Sequence, residues 1–128
     1  MAVEVGQYDF EVYQGNPVSR TVIFKDVNDV LLDFSSVQSI KMQIKKSPVK
    51  TAPAILELTS TGGNITFSNG TVNFSWTSTQ SDTLPVDNSS DDYPRVGTLY
   101  YDIEFTSITG VRTTMLYGQI TVLGQVTV

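Results

Sequence analysis

Residues 64–76 read NITFSNGTVNFSW. On both sides of Asn69-Gly70 an apolar residue occupies every second position. Strand side chains alternate between two faces, so this spacing predicts two half-buried strands. Asn-Gly is the dipeptide that best tolerates the positive φ angles of a type I′ hairpin turn. With that turn, Phe67 pairs with Val72 and Ile65 with Phe74. All four then share one face, so the turn chemistry and the hydrophobic pattern specify the same register.

The same period extends outward in both directions. Residues 8–14, YDFEVYQ, place Tyr8, Phe10 and Val12 on one face, and Gly15, Asn16 and Pro17 break the run. In VSRTVIFKD, Val22 and Phe24 face one way, and Thr21 and Lys25 the other. SIKMQIKK alternates Ile40, Met42 and Ile44 with Lys41, Gln43 and Lys45, the pattern of a sheet with one wet face. Pro48 and Pro53 bound a loop, after which AILELT resumes with Leu56 and Leu58. Tyr101, Ile103 and Phe105 alternate with Asp102 and Glu104. After a Thr109-Gly110 turn, Leu116, Ile120 and Val122 share a face, with Gly118 in phase where a side chain is expected. A glycine inside a strand marks a bulge or the close approach of another group.

From Thr77 to Leu84 the alternation stops. Thr77 and Gln80 have the spacing of a capping box, so a short helical turn is expected near residues 77–84, ended by Pro85. PVDNSSDDYPR follows as a polar loop. About eight short strands with regular turns predict an all-β sandwich, one domain over residues 1–128. The Cys…Trp…Cys core of antibody domains is absent, and Trp76 is assigned to packing.

The chain has 128 residues, and 40% of them are hydrophobic, enough to fold around a core. Eight basic residues stand against 13 acidic ones, a net charge of −5. That balance opposes nucleic-acid binding, which needs a basic surface, and docking on anionic membranes. MAVEVGQYDF lacks the basic and apolar regions of a signal peptide, and no apolar run is long enough to span a membrane. Synthesis and folding in a cytoplasm are therefore expected. Asn-x-Ser/Thr triplets begin at Asn64, Asn69, Asn73 and Asn88; with 29 Ser and Thr among 128 residues, they follow from strand composition.

Histidine and cysteine are both absent. That removes Ser-His-Asp and Cys-His catalysis and ordinary zinc sites, so no catalytic residue, metal ligand or cofactor site is assigned. Glu57, Asp102 and Glu104 occupy outward strand positions and read as solvated carboxylates rather than as a glycosidase pair. Asp82, Asp87, Asp91 and Asp92 match no defined calcium loop. Lys41, Lys45, Lys46 and Lys50 hold half of the basic residues within ten positions. Lys41 and Lys45 sit on one wet strand face, as edge-protecting charge or as a docking patch for an acidic partner. Tyr13, Tyr93, Tyr100 and Tyr117 fall out of phase with the core or in loops. Tyrosines so placed suit interface anchors. The candidate interface residues are thus Tyr13, Lys41, Lys45, Tyr93, Tyr100 and Tyr117.

Both ends of the chain carry a further pattern. Residues 97–128 contain Tyr101-Asp102-Ile103-Glu104, a turn with Gly110, the run Leu116-Tyr117-Gly118-Gln119-Ile120-Thr121-Val122, and Val126-Thr127. Near the start stands YQGNPVSRTVIFKDVNDVLLDFSS. This pattern resembles a family of small immunoglobulin-like domains in tailed bacteriophages. It is similar to the N-terminal domain of upper-baseplate and tail-fibre scaffold proteins. Asn16 stands for the family's usual Asp, Phe34 for its Leu, and the loop from Asp87 to Arg95 is longer. The resemblance implies an immunoglobulin-like antiparallel β-sandwich of about seven to nine strands. It implies a non-enzymatic virion protein, a tail, baseplate or tail-fibre adaptor that assembles with other virion proteins and copies of itself. An immunoglobulin-like capsid decoration protein is the alternative in the same class. A carbohydrate- or receptor-binding module, using Tyr93, Tyr100 and the Asp87–Asp92 loop, is the alternative in another.

Overall fold

The computed structural model describes residues 6–87 and 95–125. In chain order the elements are β1 (Gly6–Gln7), β2 (Phe10–Tyr13), β3 (Val18–Ile23), β4 (Val37–Lys45), β5 (Ala54–Thr59), β6 (Ile65–Ser68), β7 (Thr71–Trp76), α1 (Ser78–Ser81), β8 (Val96–Ser107) and β9 (Arg112–Leu123). They form two sheets. The larger runs β1-β9-β8-β4-β5, with β2 following β1 along the same edge of β9; the smaller runs β3-β7-β6. The result is an immunoglobulin-like β-sandwich.

The hairpin of residues 64–76 has the expected register, with Ile65 opposite Phe74 and Phe67 opposite Val72. Its turn is not type I′. Gly70 has φ +69°, whereas Asn69 is not among the positive-φ residues. A type I′ turn needs both. The reason lies in what Asn69 does with its side chain: its Oδ1 accepts the Phe34 N–H at 2.9 Å. Asn69 thereby ties the 24–36 connection to the hairpin tip. Gly70 is required there for space as well, since a Cβ would lie 2.7 Å from Leu31 Cβ.

The pairings are antiparallel except where β1 and β2 meet β9, where they are parallel. The antiparallel sandwich expected from the sequence is thus present, with the two N-terminal strands running parallel to β9. Period-two patterning fixes faces but not strand direction. At the crossing, Gly118 faces Tyr8. A regular parallel ladder would have Tyr8 donate to Tyr117 O and accept from Gln119 N. The first bond is present at 3.0 Å. The Tyr8 carbonyl instead turns inward and accepts from the Tyr101 hydroxyl at 2.5 Å. Gln119 N–H then donates to Asp9 Oδ1 at 2.9 Å, so a side-chain acceptor replaces the diverted backbone one. A Cβ on residue 118 would collide with the Tyr8 carbonyl oxygen. Tyr8 does not join Phe10 and Val12 in the core: it is 37% exposed, and its ring stacks on Phe10 at 5.3 Å.

The core lies between the sheets and contains Ile40, Met42 and Ile44 of β4, Leu58 of β5, Phe74 and Trp76 of β7, and Leu99 to Phe105 at alternate positions of β8. Trp76 is 2% exposed and stacks near Phe74, as assigned from sequence. Each fully buried large apolar side chain contributes about 1.5–3 kcal/mol relative to exposure. One irregularity escaped the alternation rule. The pairing shifts between Ile103, opposite Leu116, and Glu104, opposite Thr114. Met115 is the extra residue, and both Met115 and Leu116 are buried. A bulge lets two successive residues face the same way.

Helix α1 starts at the Thr77–Gln80 capping box, with the Thr77 side chain accepting from Gln80 N–H. It ends at Ser81, before Pro85, and Leu84 N–H closes a further turn on Ser81 O. Buried Ser81 donates to Tyr13 O at 3.2 Å and accepts from Gly15 N–H at 3.2 Å. The helix is thereby pinned to the end of β2.

Replacing Gly118 with Val should lower the Tm by about 5 °C or more, because overpacking at a filled site costs about 1–3 kcal/mol. Thermal unfolding followed by circular dichroism reads this directly, and an unchanged Tm would mean Tyr8 does not cross there. Asn69→Ala leaves the Phe34 N–H without its acceptor, at a cost of about 1–3 kcal/mol. In urea its midpoint should fall with the slope preserved.

Candidate functional site

The register of the large sheet gathers residues far apart in sequence onto its outward face. Across β5, β4, β8 and β9 one row reads Glu57, Gln43, Asp102, Tyr117. The row beside it reads Thr59, Lys41, Glu104, Thr114, and the row on the other side Ala54, Lys45, Tyr100, Gln119. The inward neighbours Ile40, Met42, Ile44, Tyr101 and Ile103 fill the core, which fixes which face these rows present.

Of the six candidate interface residues, Lys41, Lys45, Tyr100 and Tyr117 lie within this patch. Tyr13 shares the same face at its edge, opposite Leu123, and is 45% exposed. Tyr93 lies outside the described residues, as do Asp91, Asp92 and the centre of the Asp87–Arg95 loop. Lys46 and Lys50 lie in the β4–β5 connection, where the Lys45 ammonium donates to Lys50 O at 2.8 Å. Sequence reasoning left out Gln43 and set aside Glu57, Asp102 and Glu104 as solvated. Their signal was present, because all four alternate with core residues on strands of this sheet.

The electrostatics of the face are uneven. Gln43 Nε2 donates to Glu57 Oε2 at 2.7 Å. Among the described residues the ion pair is Lys25–Asp29 at 3.2 Å, away from this face. Lys41 and Glu104 stand directly opposite without closing an ion pair. Partial burial pushes the Asp102 carboxyl above its usual range; nearby Glu104 raises it further, and Lys45 and Lys41 act against the rise. The face thus carries a basic stripe on β4 beside an acidic stripe on β8. The Tyr101 phenol, on the inward side, is pushed well above its usual value, chiefly by burial.

The described concave feature is elsewhere. A groove of about 460 Å³ lies between the free edges of β1 and β3, lined by Gln7, Thr21, Val22, Leu32 and Leu116 among others. None of the carboxylates lines it. Glu57 and Asp102 are separated by Gln43 on an open face, roughly 10 Å apart across two strand spacings. No group of three or more His, Cys, Asp or Glu suited to a metal occurs among the described residues. No protein-family model matches the sequence, and no curated protein matches it.

The raised Asp102 carboxyl sets a direction for pH dependence. A group whose folded pKa lies above its unfolded value favours the folded state when protonated. That contribution is lost as pH rises from the usual value of 3.8 through the raised one. In dilute solution Asp102→Asn should therefore melt higher than the parent at neutral pH. The difference should shrink on acidification and vanish below pH 3.8. Equal melting temperatures across the range would place Asp102 in full solvent.

Proposed function

We propose that the chain is a non-enzymatic structural protein of a tailed-phage virion, a tail, baseplate or tail-fibre adaptor that acts by protein–protein assembly. The single observation that carries the assembly reading is the face just described. Lys41, Lys45, Tyr100 and Tyr117, each singled out separately as an outward lysine or tyrosine, lie together on one sheet, with Tyr13 at its edge. Tyrosine is enriched at protein interfaces, and a mixed polar face with a few aromatic anchors suits recognition of another protein. The absence of histidine and cysteine supports a non-enzymatic role.

The virion half of the reading is supported by the resemblance at both ends of the chain. Gly118 sits in the Leu-Tyr-Gly-Gln-Ile run of that pattern, and here its missing side chain admits the N-terminal strand. Repeated particles use repeated contacts, so a component of this kind would be present in several copies.

Immunogold labelling of purified parent particles, with antibody to this chain, tests the location. Gold at the tail tip or fibre base is the expected result. Gold over the head would move the protein to the capsid surface as a decoration subunit. Particles shown by mass spectrometry to lack the chain would sink the virion reading.

A further inference from the structure

The outward face of the large sheet has a symmetry that its cross-strand pairs reveal. Consider a two-fold axis lying in the plane of contact, parallel to the strands and midway between β4 and β8. Rotation about it lays β4 of one copy over β8 of the next, and β5 over β9. Residues of β4 and β8 then meet their own cross-strand neighbours, and residues of β5 meet the β9 residues of the same row. Lys41 meets Glu104, Gln43 meets Asp102, Lys45 meets Tyr100, and Glu57 meets Tyr117. Each pairing is chemically complementary: ammonium with carboxylate, amide N–H with carboxylate, cation with aromatic ring, carboxylate with phenol hydroxyl. No like charges oppose each other within this patch.

We propose that this face binds a second copy of the same chain in a two-fold, face-to-face pair. The inference rests on the assembly reading above and names the partner at that surface. Three observations carry it. The β4 and β8 stripes have opposite signs and lie side by side, which makes the face complementary to its own rotated image. Lys41 and Glu104 are adjacent within one copy yet form no ion pair there, so both charges remain available to a partner. The pairing of β4 with β8 from Ser39–Thr106 to Lys45–Tyr100 is uninterrupted, so the two central strands, which carry the charged stripes, form a regular ladder that can superimpose on itself. Packed sheets tolerate an offset of about 30°, which accommodates the twist.

The area sets the strength. Four strands about 4.8 Å apart and about seven residues long cover roughly 20 by 23 Å. Two such faces sit at or below the ~1,200 Å² at the lower end of specific interfaces. The free pair is therefore weak, with a Kd on the order of 10–100 µM, and repetition in an assembly strengthens it.

The test is a charge exchange on the full chain, read by sedimentation equilibrium from about 10 µM to about 1 mM, a range chosen to bracket that Kd. The parent should self-associate. Lys41→Glu sets two carboxylates opposite each other at both of the symmetry-related contacts in this row, and Glu104→Lys sets two ammonium groups there. Each variant alone should bind itself at least about tenfold more weakly. Mixed in equal amounts, the two should regain association, because every contact is again of opposite sign. A parent that is monomeric at the top of the range overturns the proposal. So do variants that associate as the parent does, or a mixture that stays monomeric while both variants keep the parent's melting curve. Should either variant fail to fold, the parent alone decides. Amide shifts that move with concentration at Lys41, Gln43, Asp102 and Tyr117 support the pair, and static shifts overturn it. Particles lacking the chain would remove the virion role and leave the pair standing. A folded, monomeric chain located in particles would do the reverse.

Discussion

The fold depends on a side chain that is not there. Gly118 lies in the middle of β9, in phase with buried Leu116, Ile120 and Val122. Its missing Cβ lets the Tyr8 backbone cross close above β9. The Tyr8 carbonyl, turned out of the ladder, would be an unpaired polar group, and leaving such a group unpaired costs about 1–3 kcal/mol. Tyr101 supplies the donor from the neighbouring strand, and Asp9 supplies the acceptor that Gln119 N–H has lost. Tyr8 and Asp9 of the β1–β2 link, Tyr101 of β8 and Gln119 of β9 are thus tied to one glycine. Once β2 is seated, Phe10 enters the aromatic cluster with Phe74, Trp76 and Tyr101. Arg20 then bridges the two sheets, its guanidinium over the Phe10 ring at 5.4 Å and an Nη2–H donated to Glu11 O at 3.4 Å.

Some of this was legible in the sequence. The alternation in β4 and β8 and the register of the β6–β7 hairpin follow from period two, and the special role of Gly118 follows from a glycine at a core position. What escaped has identifiable physical causes. Parallel and antiparallel strands alternate identically, so no pattern within residues 8–14 announces that they run alongside β9. The Met115 bulge breaks the alternation by one residue, and Leu116 alone satisfies the expected phase. The Asn69-Gly70 turn is chosen partly by Phe34, whose N–H needs an acceptor, and that partner lies 35 positions away.

The candidate site shows the same limit. Lys41, Lys45, Tyr100 and Tyr117 could each be recognised as outward residues, because each alternates with a buried one. Their adjacency could not. It depends on the strand order β5-β4-β8-β9, and β8 joins β4 across a gap in sequence that contains β5, two strands of the second sheet and α1. The carboxylates of β8 were read one by one as solvated. Their meaning changes when β4 lies beside them, because a basic stripe and an acidic stripe then share one surface.

That surface is also a consequence of the core. The residues that face outward at 41, 43 and 45 are held in place by Ile40, Met42 and Ile44, each buried. A slip of one residue would expose these and bury two lysines, at a cost no surface contact could offset. The central β4–β8 pair carries no shift from Ser39 to Lys45, whereas β5 shifts against β4 at Ile44/Lys45 and β9 shifts against β8 between Ile103 and Glu104. The β4 and β8 positions are therefore regular through all three rows. The same hydrophobic alternation that makes the sandwich stable therefore fixes the positions of the charges, and a regular antiparallel pair bearing opposite charges on its two strands is complementary to its own rotated copy.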